Sequence, residues 1–283
     1  MKICRFDDDR LGLVEGDEVF DMSATLDGVA LIKPWPMPQE DWLIANLARL
    51  RDELRRAPKG KKHRSADVKF LSPIANPGKI IGAPVNYTAH LAEANADKEI
   101  SVGVTVKTID HYGLFLKANS SLVGASEGIA LGLTSRRNDH EGELVAVIGR
   151  EGRNIPEADA LEYVAGYCTG LDMTVRGVEE RSLRKSLDSY TVLGPWLTTA
   201  DEVGDPSDLM IHLEVNGEVR QHCSTSHLIF GVKKLIAYAS GFYSLKPGDV
   251  IMTGTPAGVG PVVTGDRISL AIDKVGAMQV AVR

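Results

Sequence analysis

The sequence of 283 residues lacks any apolar run near the roughly 20 residues that a membrane-spanning helix needs. Its opening residues, MKICRFDDDR, have no apolar stretch of the kind that signal peptides contain. Cysteine is scarce, since Cys4, Cys168 and Cys223 are far apart and form no CxxC pair. This spacing argues against a disulfide framework and against a zinc knuckle. We therefore expect a protein of the reducing cytoplasm that does not associate with a membrane.

An excess of positive charge is absent as well, because the formal net charge is −6 at pH 7. An acidic chain gives no reason to expect a nucleic-acid partner. One basic segment, 49–64, has eight Lys and Arg residues against Asp52 and Glu53. Such a segment either binds an anion or forms a solvated helix end, where basic residues are favoured. We favour the helix end, since no aromatic residues are interleaved to stack on bases.

The first 70 residues have the pattern of a small α/β domain. Short apolar segments between polar turns predict strands over 1–21. A helix is predicted at about 39–56, preceded by Pro38, with leucines at helical spacing. These leucines are Leu43, Leu47, Leu50 and Leu54. The segment 57–79 is rich in Pro, Gly and Lys, as is typical of a connection, so we expect a small domain over 1–70 and a main domain over 71–283.

The main domain is predicted to be rich in strands. Apolar runs recur at KIIGAPV, GLFLKA, ELVAVIG, YVAGYCTGLDMTV, MIHLEVNGEVRQ, DVIMTGTP and RISLAI. The segment VNGE at 215–218 predicts a type I′ hairpin, because Asn and Gly tolerate positive φ. Helices are expected at about 87–97 and 226–240. Since strands and helices do not alternate regularly, a Rossmann sheet and a TIM barrel are disfavoured, and the expected class is α+β, mainly β.

Acidic residues crowd at the start of a buried strand in NDHEGELVAVIG, 138–149. Alternate residues of a strand share a face, so Asp139, Glu141 and Glu143 point one way and His140 points the other. Carboxylates on one face repel one another and raise one another's pKa, a cost that a divalent cation removes. Oxygen ligands suit Mg²⁺, Mn²⁺ or Ca²⁺ rather than zinc. Spacing alone leaves a metal site and a solvated strand end equally open.

A further acid favours the metal site. Asp172 lies within the apolar segment GYCTGLDMTV, where an unpaired charge is costly to bury. It requires a cation or a basic partner, and it would complete a site of three carboxylates with Glu141 and Glu143. Arg176, four residues further on, is the alternative partner.

Motifs along residues 80–272 resemble, in order and spacing, the fumarylacetoacetate hydrolase family. They are VNYTAHLAE, GLFLK, DHEGELVAVIGR, VAGYCTGLDMTVR, RKSLDSYTVLGPWL, LEVNGEVRQ and LKPGDVIMTGTPAGVG. The resemblance implies a mixed β-sheet roll as the core, a small N-terminal domain and usually a homodimer. It also implies a Mg²⁺ or Mn²⁺ site with Glu141, Glu143 and Asp172 as ligands, and with Asp139 and His140 as neighbours only.

The segment NYTAHLAEANAD, 86–97, places His90 and Glu93 on one face of a short helix. A Glu bonded to one imidazole nitrogen fixes the tautomer and leaves the other nitrogen as a base. Pairs of this kind are usually solvated and without a role. The resemblance favours the catalytic interpretation, because hydrolases of the family carry a His–Glu dyad on a lid segment at this place.

The resemblance further assigns groups around an anionic substrate. It singles out the cations Lys117, Arg176 and Lys185, the last also as a catalytic residue, and Thr255 in TGTPAGVG as a contact of the substrate carboxylate. The chain departs from the family pattern D-x-S-x-R-D-x-Q, since it reads DMTVRGVE and has Glu179 in place of the usual Gln. The resemblance implies that the residue at this position contacts the substrate or the attacking water, so Glu179 is a predicted substrate-binding residue. A carboxylate there would change the charge preference of the site.

These features predict a metal-dependent enzyme that hydrolyses a C–C bond in a small 2-oxo or β-diketo acid, as acylpyruvate hydrolases do. The metal would bind the substrate's carboxylate and keto oxygens and stabilise enolate charge. His90, oriented by Glu93, would activate water. Decarboxylation of oxaloacetate, or keto–enol or double-bond isomerisation, shares the enolate and needs no hydrolytic water. A non-catalytic metal-binding protein is the remaining alternative.

Overall fold

The computed structural model describes residues 1–26 and 40–283. Three strands open the chain as an antiparallel meander: β1 (Lys2–Phe6), β2 (Arg10–Glu15) and β3 (Glu18–Asp21). Helix α1 (Trp42–Arg56) and strand β4 (Lys62–Arg64) follow, and β4 pairs with β3. The strands predicted over 1–21 are therefore confirmed. The segment predicted as a connection contributes β4, a strand that its Lys-rich sequence does not suggest.

Helix α1 begins at Trp42 because Asp41 caps it. One oxygen of the buried Asp41 carboxylate accepts the backbone N–H of Ile44 at 3.1 Å. The other accepts the N–H groups of Ala75 and Asn76 at 2.8 and 3.0 Å, which ties the helix to the following segment. The buried face of α1 consists of Ile44, Leu47, Leu50 and Leu54, with Leu43 partly buried beside it. Pro38 and the predicted helical start at 39 lie outside the described residues.

The rest of the chain alternates strands with short helices. Up to residue 124 these are β5 (Ile80–Gly82), α2 (Thr88–Ala96), α3 (Lys98–Ser101), α4 (Ile109–Tyr112), β6 (Phe115–Lys117) and β7 (Leu122–Gly124). Next come β8 (Asn138–His140), β9 (Gly142–Ile148), β10 (Val164–Asp172), β11 (Thr174–Val175), α5 (Arg181–Arg184), β12 (Thr191–Thr199) and α6 (Ala200–Val203). The last are β13 (Met210–Val215), β14 (Glu218–Ser224), α7 (Val232–Phe242), β15 (Val250–Met252), β16 (Gly260–Pro261), β17 (Arg267–Ile272) and β18 (Gly276–Ala281).

Within the described residues, eleven strands form one mixed sheet. Its order is β4-β3-β2-β1-β12-β10-β9-β15-β5-β6, with β7 paired in parallel to β12. The pair β15–β5 is also parallel. Strand β1 joins β12 with Lys2 opposite Thr198, so the N-terminal meander continues the main sheet. The division into domains at residue 70 stays a prediction.

Strand β9 lies in the middle of this sheet and is buried along its whole length. Its side chains alternate between two apolar clusters, with Leu144 and Ala146 in one and Val145 and Val147 in the other. A strand buried on both faces requires a continuous apolar run rather than alternation, and ELVAVI supplies it. The acidic residues before this run are thereby held against a rigid core.

A second sheet has the order β14-β13-β17-β18. Its β13–β14 hairpin turns at Asn216 (φ 53°) and Gly217 (φ 82°), so the predicted turn with two positive φ values is confirmed. Three short strands, β11-β8-β16, form a third sheet next to the acidic segment. The architecture is α+β and mainly β, as predicted from the sequence.

None of the helices in residues 1–26 and 40–283 combines the length with the apolar character that a bilayer span requires.

Replacing Asp41 by alanine is expected to destabilise the protein, because the cap and two further backbone N–H groups lose their acceptor. The loss should be about 2–4 kcal/mol in the free energy of unfolding. Urea denaturation followed by circular dichroism measures it. Asp52→Ala is the matched control, since Asp52 is exposed on α1 and only 3.6 Å from Arg56; it should change stability by less than about 0.5 kcal/mol. Equal losses in both variants would contradict the role given to Asp41.

Candidate active site

Three carboxylates meet where β9 and β10 pair. Glu143 lies in β9, Glu141 directly precedes that strand, and Asp172 ends β10. The strands are antiparallel, with Gly170 opposite Glu143, and the Asp172 N–H donates to the Glu141 carbonyl at 2.9 Å. Carboxylate oxygens of the three residues lie within 4.8 Å of one another. We call Glu141, Glu143 and Asp172 the acidic cluster; all three are buried.

Two buried lysines contact the acidic cluster. The Lys185 ammonium lies 2.7 Å from Glu141, 2.8 Å from Asp172 and 2.6 Å from the Thr174 hydroxyl. These three contacts use all three of its donors. Lys117 forms an ion pair with Asp172 and donates to the Tyr190 carbonyl at 2.8 Å. Asp172 therefore has two cationic partners.

Glu143 differs from its neighbours because no lysine or arginine among the described residues pairs with it. It accepts the backbone N–H of Gly254 at 2.7 Å, and the positive φ of 96° at Gly254 is a conformation that favours glycine. Burial, together with the charges of Asp172 and Glu141, raises the pKa of Glu143 well above its usual range. Burial also opposes the charge on Glu141, but Lys185 and Arg176 hold the pKa of Glu141 below its usual range.

The donor set of the acidic cluster fits a hard divalent cation. Carboxylate oxygens are the ligands that Mg²⁺ and Mn²⁺ prefer, and the three converge without a cysteine or a coordinating histidine. Glu143 has no cationic side-chain partner among the described residues and its burial raises its pKa, so a proton or an additional cation would stabilise the cluster. The described residues of the cluster are thus able to hold a metal ion.

Asp139 lies apart from the acidic cluster although it precedes it in the same acidic stretch. Its carboxylate is fully buried between Arg137 at 2.7 Å and Arg176 at 2.8 Å. Arg176 also reaches Glu141 at 3.3 Å and does not contact Asp172, the partner that the sequence suggested as an alternative. Arg137 also forms an ion pair with Asp97 at 2.8 Å, and Asp97 caps the end of α2.

His140 points away from these charges. Its side chain is fully buried, and neither ring nitrogen has a hydrogen-bond partner among the described residues. Burial lowers the pKa of His140 to about 4, although nearby Asp139 and Glu141 act in the opposite direction. The imidazole is therefore neutral at physiological pH and acts as a packing group.

His90 and Glu93 form the expected pair on α2. The Nδ1 atom of His90 lies 2.9 Å from one oxygen of Glu93, whose other oxygen accepts the Gly258 N–H at 2.8 Å. A carboxylate at Nδ1 requires the proton to reside there, which leaves Nε2 as the basic nitrogen. The His90 side chain is buried, and it faces the same cavity as the acidic cluster.

A cavity of about 280 Å³ unites these groups. Its polar lining includes the acidic cluster and His90, Ser101, Tyr112, Arg176, Glu179, Arg181, Arg184, Lys185 and Thr255. Thr255 is fixed in place, since its hydroxyl donates to the Gly142 carbonyl at 3.0 Å and accepts from Gln221 at 2.7 Å. Lys117, predicted to bind substrate, is absent from this lining and lies behind Asp172. The cavity has room for a small anion between acidic, basic and hydroxyl groups.

Glu179, the departure from the family pattern, is neutralised by an arginine. Arg136 binds its carboxylate with two hydrogen bonds of 2.9 and 2.8 Å, and this contact holds the pKa of Glu179 at about 2. Arg136 is 43 residues away along the chain. The negative charge at this position of the cavity is thus balanced by a partner that the sequence motif does not reveal.

Arg181 and Arg184 were not singled out from the sequence, although both line the cavity. They belong to RSLRKS, a basic stretch that ends at the predicted Lys185. The available signal was two arginines within four residues of a predicted active-site lysine. The sequence also gives no sign of the role of Gln221, which fixes Thr255.

Residues 79–283 match the sequence profile of the family described as fumarylacetoacetate (FAA) hydrolase C-terminal. A maleylpyruvate hydrolase of Aquipseudomonas alcaligenes is 56% identical over 289 residues, covering 100% of this chain and 99% of that protein. A mitochondrial oxaloacetate tautomerase of Xenopus laevis is 39% identical over 226 residues, covering 75% of this chain and 68% of its own length.

Among solved structures, a maleylpyruvate hydrolase from Sphingobium sp. SYK-6 was crystallised with a manganese(II) ion and pyruvate. It superimposes with a TM-score of 0.84 at 38% sequence identity, covering 100% of this chain and 98% of that chain. The chain thus resembles the two maleylpyruvate hydrolases over its full length, including the N-terminal residues that the family profile leaves out.

Removing one carboxylate of the acidic cluster is expected to abolish tight metal binding. Glu143→Gln should weaken Mn²⁺ binding by more than the roughly 10- to 100-fold that is typical of outer-shell changes. Titration calorimetry measures the affinity. Asp139→Asn is the matched control, because Asp139 is an equally buried acid nearby; it should weaken Mn²⁺ binding by less than about tenfold. A larger loss in Asp139→Asn than in Glu143→Gln would contradict the ligand assignment.

Metal binding is also expected to depend on pH. A carboxylate loses its proton when it binds a cation, and the raised pKa of Glu143 means that it keeps this proton to higher pH than usual. Mn²⁺ affinity should therefore rise as the pH rises through that pKa and level off above it. Calorimetry in two buffers with different protonation enthalpies detects the released proton. Binding heats that do not depend on the buffer, from mildly acidic to neutral pH, would contradict this expectation.

Proposed function

Because this chain belongs to the fumarylacetoacetate hydrolase family, we propose that it hydrolyses an acylpyruvate, with maleylpyruvate as its substrate. Water adds across the bond between the methylene carbon and the distal keto carbon, which gives maleate and pyruvate. Full-length identity of 56% to a maleylpyruvate hydrolase supports this substrate. The observation that carries the reaction type is the shared cavity of the acidic cluster and His90, where enolate stabilisation and water activation act on one molecule.

We propose Mg²⁺ or Mn²⁺ as the cofactor, held by Glu141, Glu143 and Asp172. When bound, the cation supplies Lewis acidity to the carboxylate and keto oxygens of the substrate and stabilises enolate charge. Lys185 contributes indirectly, because its three donors are already used by Glu141, Asp172 and Thr174. It positions the carboxylates, and Lys117 supports Asp172 from behind in the same way.

His90 acts as the general base in this scheme. Glu93 holds the Nδ1 proton, so the Nε2 atom takes a proton from water, and the resulting hydroxide adds to the distal keto carbon. The C–C bond then breaks, and its electron pair moves to the pyruvate fragment as an enolate. The His90 imidazolium returns its proton to the methylene carbon of that fragment. Atoms and charge balance, since one hydrogen of the water ends on the methylene carbon, and its hydroxyl becomes part of the new carboxyl group, which then releases its proton to solvent.

Arg176 and Thr255 provide the polar wall of the substrate site. Arg176 is held by Asp139 and Glu141, and Thr255 is held by Gln221 and Gly142. Both side chains therefore present their remaining surface to the cavity in a fixed position. Preorganised groups of this kind contribute more to positioning than mobile ones.

The second candidate function is tautomerisation of oxaloacetate. The resemblance to a mitochondrial oxaloacetate tautomerase favours it, because that relative is 39% identical over most of the catalytic region. Such a reaction, like decarboxylation or double-bond isomerisation, shares the enolate and does not require water. The His90–Glu93 pair is the feature that favours hydrolysis. A role as a metal-binding protein without turnover is disfavoured by the same pair.

We further propose that the enzyme works in the cytoplasm as a homodimer. Homodimers are usual in the family that the motifs resemble, which supports the assembly. Free cysteines support a reducing compartment: Cys4, Cys168 and Cys223 are unpaired, and burial raises the pKa of Cys168 to about 12. Light scattering of the purified protein tests the assembly; a monomeric mass at working concentration would contradict it.

His90→Ala is expected to lower the turnover of maleylpyruvate by about 10²- to 10⁴-fold, because no general base remains. Mn²⁺ affinity should stay unchanged, since His90 is not a ligand. Loss of absorbance of the substrate enol measures turnover. His212→Ala is the control, because His212 lies on β13, outside the cavity lining, and within the described part of the chain its side chain bonds to His222 and Glu214 alone. Full activity in His90→Ala would refute the role of His90 as the base. Tautomerisation of oxaloacetate by the wild-type protein, without hydrolysis of maleylpyruvate, would decide for the second candidate.

A further inference from the structure

Arg181 has no anionic partner among the residues that the structure describes. It lines the cavity and is half-buried, but it takes part in none of the ion pairs or hydrogen bonds formed by the described side chains. The other cations near the acidic cluster are all engaged: Lys117 and Lys185 with carboxylates, and Arg176 with Asp139 and Glu141. A partly desolvated guanidinium without an anion is costly, so its place in the cavity calls for a ligand.

Aromatic rings hold Arg181 in position. Its guanidinium carbon lies 4.7 Å from the ring centre of Tyr112 and 5.9 Å from that of Phe115. The Lys185 ammonium lies 5.7 Å from the same Phe115 ring. Arg181 and Lys185 therefore flank one aromatic side chain, and Lys185 in turn contacts the acidic cluster. Arg181 thus lines the same cavity as the acidic cluster, on the side where Lys185 and Phe115 lie.

The electrostatics agree with this placement. Burial lowers the pKa of Arg181, while the carboxylates of Glu141, Glu180 and Asp172 act in the opposite direction. The arginine is therefore near enough to sense the acidic cluster without forming an ion pair with it. Its charge remains available to a second anionic group on a molecule that reaches from the cluster outward.

Arg184 is a weaker candidate for the same role. Its guanidinium donates to the backbone carbonyl of Glu179 at 2.8 Å and lies 3.5 Å from that of Val175. These contacts fix Arg184 to the segment that follows β11. Of the two arginines, Arg181 has its hydrogen-bonding donors free.

We propose that Arg181 is the specificity-determining residue that binds the distal carboxylate of a dicarboxylic 2-oxo acid. The proposal rests on the proposed function, because it assumes that the 2-oxo acid end of the substrate lies at the acidic cluster. The maleyl group of maleylpyruvate ends in such a carboxylate. A guanidinium stacked on rings binds a planar carboxylate with two parallel hydrogen bonds. Acylpyruvates with an uncharged end would leave Arg181 without an anion and bind less tightly.

A pair of unreactive ligands tests the proposal. 2-Oxoheptanedioate and 2-oxoheptanoate have the same chain and differ only in the distal carboxylate, and neither has the second keto group that cleavage requires. Titration calorimetry with the Mn²⁺-loaded protein measures both. The diacid should bind about 10- to 100-fold more tightly than the monoacid. Arg181→Gln should reduce this preference to less than about threefold and leave the monoacid affinity unchanged.

Two further variants keep the result specific. Arg150→Gln is the matched control, because Arg150 also stacks on a ring, Tyr163 at 4.0 Å, away from the cavity lining; it should retain the full preference. Loss of the preference in Arg184→Gln with retention in Arg181→Gln would overturn the proposal. An equal loss of affinity for both ligands in Arg181→Gln would overturn it as well. Arg181 would then either stabilise the fold or bind the 2-oxo acid end that the two ligands share.

Measurements of turnover distinguish a failure of the Arg181 proposal from a failure of the proposed hydrolase function. Wild-type protein should hydrolyse maleylpyruvate in preference to acetylpyruvate, and Arg181→Gln should remove that preference mainly through KM. If neither acylpyruvate is hydrolysed but Arg181 still sets the preference for the diacid in calorimetry, the hydrolase function fails while the distal carboxylate site stands. If both are hydrolysed with unchanged selectivity in Arg181→Gln, the distal site fails while the hydrolase function stands.

Discussion

Repulsion among three buried carboxylates is the constraint on which the rest of the site depends. The pairing of β9 with β10 brings Glu141, Glu143 and Asp172 together, and both strands belong to the core of the largest sheet. A strand packed between two apolar clusters cannot shift to move the carboxylates apart, because the interior around it is close-packed. The surroundings must therefore supply positive charge, and two lysines with Arg176 supply it in part. The negative charge that these cations do not balance lies mainly on Glu143, whose carboxylate accepts a hydrogen bond from a backbone amide.

The same constraint explains the charged residues that are not part of the acidic cluster. Arg176 can support Glu141 only if its own charge is held in place, and Asp139 does this from the opposite side. Asp139 in turn binds Arg137, which reaches Asp97 and Glu99 at the junction of α2 and α3. A line of alternating charges therefore runs from the cluster to the helix that carries His90. Asp139 looks like a ligand in the sequence and serves instead as a link in this line.

Much of this arrangement was predictable because it is local. The apolar run after Glu143, the acid within an apolar segment at Asp172, the Asn216–Gly217 turn and the spacing of His90 and Glu93 each follow from short-range periodicity. The class of fold followed from the same runs.

Other features depend on distant partners and were not predictable. Strand β12 contains Gly194 and Pro195, which disfavour a strand interior, yet it lies between β1 and β10. The balance of Glu179 by Arg136 and the position of Lys117 behind Asp172 also appear only after the chain has folded.

Glu93 has a consequence beyond orienting a ring. One of its oxygens bonds to His90 and the other to the amide of Gly258, in the turn that follows Thr255. His90 and Glu93 lie on the same helix, so their own contact does not depend on that turn. The second bond of Glu93 adds a tether between α2 and the turn. In the proposed mechanism, one carboxylate thus fixes both the ring of the base and the helix that carries the base beside the cavity.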